Sequence, residues 1–128
     1  MERKVVLTSG APAPIGPYSQ AVAAGDFIFC SGQIPLDPVT GALVAGDIAV
    51  QTRRVLDNLE AVLTAAGSSL SQAVKITVYL KDLNDFGALN EVFAQRFKVS
   101  PPARAVVQVA ALPKDALIEV DLIALRVK

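Results

Sequence analysis

Residues 100–128 read SPPARAVVQVAALPKDALIEVDLIALRVK, and two strand-like runs lie within them. Each carries a charge near its start where a sheet favours an apolar residue: Arg104 in the first, Glu119 in the second. Side chains alternate between the two faces of a strand, so the runs can be sorted by parity. In RAVVQV, Arg104, Val106 and Gln108 alternate with the apolar set Ala105, Val107 and Val109. In IEVDLIAL, Ile118, Val120, Leu122 and Ala124 alternate with Glu119 and Asp121. If both apolar sets pack against helices, Arg104 and Glu119 share the opposite face; a slip of one residue would separate them. A shared face leaves two readings open. One is a cross-strand ion pair; the other is a site that grips an anion and moves a proton.

Upstream, the periodicity supplies the rest of a small α+β fold. AVKITVYLKD alternates, with Val74, Ile76, Val78 and Leu80 facing one way and Lys75, Thr77 and Tyr79 the other, which predicts a strand. NDFGALNEVFAQRF returns to helical spacing through Phe86, Leu89, Phe93 and Phe97, and Pro101-Pro102 bars continuation. The longer run IAVQTRRVLDNLEAVLTAAG places Ile48, Val55, Leu56, Leu59, Val62, Leu63 and Ala66 on one stripe. Asp47 stands at the N-cap position and Gly67 at the stop. SQAVAAGDFIFCSGQIP reads as a hairpin turning at Gly25-Asp26. APAPIGPYSQ, rich in Pro and Gly, reads as an ordered loop. The expected order is β-β-α-β-α-β-β, a single domain over 1–128 with one mixed sheet and two helices on one of its faces.

Composition narrows the function classes. Among 128 residues, 52% are hydrophobic and 19% charged, more apolar than a small domain can hide by itself. The expectation is an oligomer that buries a sheet face between subunits. Twelve basic and twelve acidic residues cancel, which gives no electrostatic grip on nucleic acid or anionic lipid. There is no apolar stretch of spanning length and no signal-peptide pattern at the start, so the expected partners include no membrane and the expected compartment is the cytoplasm. Cys30 is the one cysteine, which suits a reducing compartment and a core position. With no histidine, a Ser-His-Asp triad is impossible and metal sites lose their commonest nitrogen ligand.

The segments GPYSQAV, FIFCSGQIPLDPVTG, VKITVYLKDLNDF and PPARAVVQVAALPKDALIEVDLIA together resemble the Rid family, the reactive intermediate deaminases once called YjgF or translation-inhibitor-like proteins. The resemblance runs nearly end to end, and its most specific part is Pro-Ala-Arg followed by Leu-Pro and Glu. It implies a chorismate-mutase-like fold and a homotrimer with clefts between subunits. The implied activity is hydrolysis of enamines and imines, such as 2-aminoacrylate and 2-iminobutyrate, to 2-keto acids and ammonia without a cofactor. By the same resemblance Arg104 binds the substrate carboxylate, Glu119 activates water, and Tyr18, Ser31, Gly32 and Asn90 line the cleft. Many relatives carry Cys two residues after the arginine, where this chain has Val106, so no thiol acts there.

The residues themselves leave several roles open. Tyr18 fits either a packed loop or a cleft wall, Ser31-Gly32 a strand end or a carboxylate-binding backbone, and Asn90 a cap or a ligand contact. An imine carbon is already electrophilic, so one guanidinium that holds the anion and one carboxylate that steers water are adequate equipment. A metabolite-binding protein for 2-keto acids would use the same arginine without turnover. A ribonuclease or translation inhibitor would want a basic or aromatic surface, of which the sequence shows no sign. The preferred imine and whether Arg104 and Glu119 of one cleft come from one chain or two are not legible at this level.

Overall fold

The computed structural model describes residues 2–127. Its strands are β1 (Arg3–Val6), β2 (Ala21–Ala24), β3 (Phe27–Gln33), β4 (Ala73–Leu80), β5 (Ala103–Gln108) and β6 (Ile118–Leu125); its helices are α1 (Ile48–Ala65) and α2 (Phe86–Arg96). They form one mixed sheet in the order β1-β2-β3-β6-β4-β5. β4 and β5 run parallel, a pairing that needs a crossover, and α2 supplies it; every other pair is antiparallel. β6, the last strand in the chain, sits between β3 and β4, so the C-terminal stretch closes the middle of the sheet. The one strand not expected is β1, a short edge whose Val5 and Val6 pair with Val22 and Ala21.

α1 forms where its stripe and its caps agree. The Asp47 side chain accepts a hydrogen bond from the Val50 N–H at 3.0 Å, and Gly67 takes the left-handed φ of 80° just past the end. Ile48, Val55, Leu56, Leu59, Val62 and Leu63 are all buried against the sheet face formed by Ile28, Ile76, Val78, Ile118, Val120 and Leu122. Each such aliphatic side chain removed from water contributes about 1.5–3 kcal/mol before entropy is counted. Leu89, Val92 and Phe93 of α2 join the same core, and Arg96 of α2 pairs with Asp57 of α1 at 3.0 Å. Gly25 has φ 57°, which the first central position of this two-residue hairpin turn requires. Cys30 is buried in the core. Burial first, and the charge of Asp121 second, push its thiol up to about 12, so it remains a protonated core residue.

The expected face of β5 is corrected by the register. Arg104 stands beside Ile76, Val106 beside Val78 and Gln108 beside Leu80, so the set with two polar residues faces the helices. Tyr79 stands beside both Val107 and Glu119, which places Glu119 on the other face. Arg104 and Glu119 therefore lie on opposite faces of one chain's sheet. The reason is that β5 is an edge strand whose helix side is only partly covered. Only Val106 is needed in the core, while the flanking polar residues find partners at its rim: Gln108 accepts from the Leu83 N–H at 2.8 Å. Periodicity sorts faces reliably only where one face is fully buried.

Candidate active site

The six residues singled out from the sequence separate into two groups. Arg104 and Asn90 line a groove of about 450 Å³ on the helix side, together with Phe93, Phe97, Pro101 and Pro102. The Arg104 guanidinium lies 5.6 Å from the ring centre of Phe86 and 5.3 Å from that of Phe93. These cation–π contacts hold the planar group in place without neutralising it. Among the described residues it has no carboxylate partner, so the cross-strand ion pair does not form. Asn90 is half-buried on α2, at the groove rather than at a helix end.

Tyr18, Ser31, Gly32 and Glu119 line a separate hollow of about 360 Å³ with Ile15 and Pro113. A smaller cavity of about 70 Å³ adjoins it, bordered by Glu119, Gly32, Gln20 and Gln33. The Glu119 carboxylate is half-buried and makes no hydrogen bond or ion pair with any described residue. Desolvation first, and the nearby charge of Asp121 second, raise its pKa above the ordinary value of 4.5. A carboxylate left without donors and biased toward holding a proton suits general acid–base work.

Local structure explains why the carboxylate can stand there. A Cβ on Gly32 would lie 2.6 Å from Glu119 Oε2 and 2.9 Å from its Cδ, so only glycine leaves the space the carboxylate occupies. The register of β3 on β6 shifts between Cys30 and Gln33, a bulge that brings Gly32 over Glu119. The loop bearing Tyr18 has no regular structure of its own and is clipped by the buried Gln20. Its amide donates to the carbonyls of Thr8 at 3.0 Å and Pro12 at 2.9 Å, and its Oε1 accepts from the Thr8 N–H at 2.7 Å. Ser31 pins the same loop, donating its hydroxyl to the Ser19 carbonyl at 2.6 Å and its backbone N–H to the Gln20 carbonyl at 3.0 Å. Both donors of Ser31 are thus committed to the loop. Tyr18 is exposed, and its phenol oxygen accepts from the Ile15 N–H at 3.3 Å.

Sequence reasoning did not assign functions to Phe86, Gln20 or the pair Tyr79–Asp121. The Tyr79 hydroxyl donates to Asp121 Oδ2 at 2.9 Å on the same face as Glu119. Their shared parity with Glu119 was visible in the sequence; the hydrogen bond, which needs the β4–β6 register, was not.

The family model for Endoribonuclease L-PSP matches residues 8–126. A RutC family protein of Pyrococcus horikoshii is 58% identical over 95% of this chain and 97% of its own length. A human protein named 2-iminobutanoate/2-iminopropanoate deaminase is 48% identical over 97% of this chain and 90% of its own. The crystal structure of E. coli TdcF with bound serine superposes with a TM-score of 0.90 at 45% identity, covering 97% of this chain and 99% of that one.

Proposed function

The chain belongs to the Endoribonuclease L-PSP family, the same family as the Rid proteins, and from that membership we propose that it hydrolyses small 2-imino and 2-enamino acids to 2-keto acids and ammonia. The observation that carries the reading is the Glu119 carboxylate. It is half-buried, without a hydrogen bond, raised in proton affinity, and aimed into a hollow beside a cavity with room for water. In the proposed step a water oxygen adds to the C=N carbon and its proton passes to Glu119. The proton then goes to the nitrogen, and the hydroxyl of the resulting carbinolamine gives its own proton to that nitrogen as the C–N bond breaks, so ammonia leaves as the ketone forms. An enamine enters this path by first taking a proton from water at its β-carbon to become the imine.

Such a substrate carries a carboxylate, and the cation suited to it is Arg104, on the opposite face. The cleft is therefore assembled from two copies, Arg104 with Asn90 from one and Glu119 with Tyr18 and Gly32 from the next. A homotrimer gives each copy one of each neighbour. The apolar sheet face that would be covered carries Phe27 at 40% exposure, Phe29 at 45% and Leu125 at 42%. A neighbouring Arg104 would pull the Glu119 pKa back down, but the substrate carboxylate neutralises that charge as it binds. The protein would work without a cofactor. The zero net charge and the apolar groove favour a small metabolite over RNA.

The direct test couples the purified protein to a dehydratase that generates 2-aminoacrylate or 2-iminobutyrate and follows keto-acid release. Acceleration supports the reading; binding of 2-ketobutyrate with no acceleration replaces it with a sensor. A complementation test addresses the two-chain cleft. Chains carrying Arg104→Ala and chains carrying Glu119→Gln, each strongly impaired alone at substrate concentrations below the wild-type KM, are co-expressed, purified as mixed assemblies and assayed there. With random mixing, about a quarter of the clefts receive both intact residues, so about a quarter of wild-type activity returns. If both residues of a cleft came from one chain, mixing would restore nothing.

Gly32→Ala separates positioning from folding. Its backbone is not left-handed, so alanine suits the local conformation, and the three atoms nearest the added methyl all belong to the Glu119 side chain, which must shift to make room. The expected result is a melting temperature near that of wild type with kcat reduced about 10- to 100-fold, the usual cost of displacing a reacting group by an ångström. Unchanged kcat would show that the carboxylate does not act from this position.

A further inference from the structure

Glu119 is flanked by a pair that the hydrolysis as proposed does not use. Asp121 is two residues along β6 and projects from the same face, about 7 Å away by strand rise. Tyr79 of β4 stands directly beside Glu119, yet its hydroxyl reaches past to donate to Asp121 Oδ2 at 2.9 Å. A phenol in that role suits an ionised carboxylate as acceptor. The pKa of Tyr79 is raised, by that hydrogen bond first and burial second, so it stays a donor across the neutral range. The tether keeps the Asp121 carboxylate on the half-buried face, where a like charge acts through less water than it would if swung outward.

Among the described residues, the other elements around Glu119 put no charged side chain into the wall of the hollow, and the charged Lys114 lies in the adjoining turn without lining it. β3 contributes Ser31 and Gly32, the loop contributes Tyr18, and the 3-10 turn Pro113–Asp115 contributes Pro113 to the wall. In that turn Asp115 is paired with Lys81 at 2.8 Å. On β4 the next residues of this face are Thr77, beside Asp121, and Lys75, beside Ile123. In the assembled cleft a neighbouring Arg104 is added.

We propose that Asp121, tethered by Tyr79, is a positioning residue for Glu119: a second negative charge kept on the same sheet face makes Glu119 a stronger proton acceptor. The inference deepens the proposed hydrolysis, in which Glu119 is the base, but it can be tested without substrate. The carboxyl carbon of Glu119 is followed against pH by NMR in ¹³C-labelled full-length protein, its signal assigned by its loss in Glu119→Gln. Removing the like charge in Asp121→Asn is expected to lower the midpoint by at least about 0.3 pH unit, a twofold change in proton binding. Tyr79→Phe, which keeps both carboxylates, moves it the same way by less. Asp121→Glu, which keeps the charge, leaves it near wild type. An unmoved midpoint in Asp121→Asn, or an equal shift in Asp121→Glu, would overturn the proposal, the latter by showing that shape rather than charge matters. The acid limb of keto-acid release should follow the same midpoints. If the midpoint moves while no form accelerates imine hydrolysis, the Asp121 effect stands and the proposed activity falls; if wild type accelerates it and the midpoint is fixed, the reverse holds.

Discussion

Replacing Glu119 with Gln is expected to lower kcat for imine hydrolysis about 10²- to 10⁴-fold, the range supplied by one general acid–base, with KM changed little. Gln keeps the size of the side chain and its place above Gly32, so what is lost is the ability to take a proton. The pH dependence gives the sign. The ionised form is the base and its pKa is raised by burial and by Asp121, so wild-type turnover should fall away on acidification at a pH above 4.5. In Glu119→Gln the residual rate should lack that limb. Stability should move the other way. A carboxyl whose folded pKa is raised opposes folding when ionised, an opposition present above the folded pKa and relieved as pH falls through it. At neutral pH Glu119→Gln should therefore melt no lower than its Glu119 parent when the two are compared in the Arg104→Ala background, where no neighbouring guanidinium favours the charge, and this distinguishes lost chemistry from lost fold. A Gln variant as fast as wild type would end the role assigned to Glu119.

Arg104→Ala is expected to raise KM about 100-fold, the loss of about 3 kcal/mol of charge-assisted, bidentate contact with a carboxylate. The guanidinium already lies against Phe86 and Phe93, so it need not be ordered when the anion arrives. Arg104→Lys should recover only part of the affinity, because an ammonium has neither the planar fork nor the same contact with the rings. Calorimetric titration with 2-ketobutyrate checks binding apart from turnover, and it should weaken in parallel with KM. If Arg104→Ala binds the keto acid as wild type does, the anion is held elsewhere.

The elements of the fold were legible wherever two independent signals coincided. α1 had both its stripe and its caps, and β4 and β6 had alternation with one wholly apolar set. β5 had only alternation, and alternation on an edge strand says little. Its helix side is finished by Phe rings and a backbone amide that belong to other segments, so Arg104 and Gln108 are tolerated there. β1 has a short apolar pair, Val5-Val6, and becomes a strand because β2 offers it an open edge. The candidate site was legible as residue types and through the family resemblance. Its division into two half-sites was not, since the division follows from the register of β5 on β4, which turns Arg104 to the helix side while Glu119 stays on the other. The clearance at Gly32 depends on a bulge, and the tether from Tyr79 on a register; neither leaves a local mark in the sequence.

Gln20 gives the wall of the hollow an all-or-none character. One carboxamide, sealed from solvent, gathers the backbone of Thr8 and Pro12 into a knot, while the Ser31 hydroxyl fastens Ser19 beside it. A stretch with no ladder to hold it cannot fray from one end under those ties. It stays shut, with Tyr18 carried on it, or lets go as a block, and either way the tyrosine has few intermediate poses to wander through.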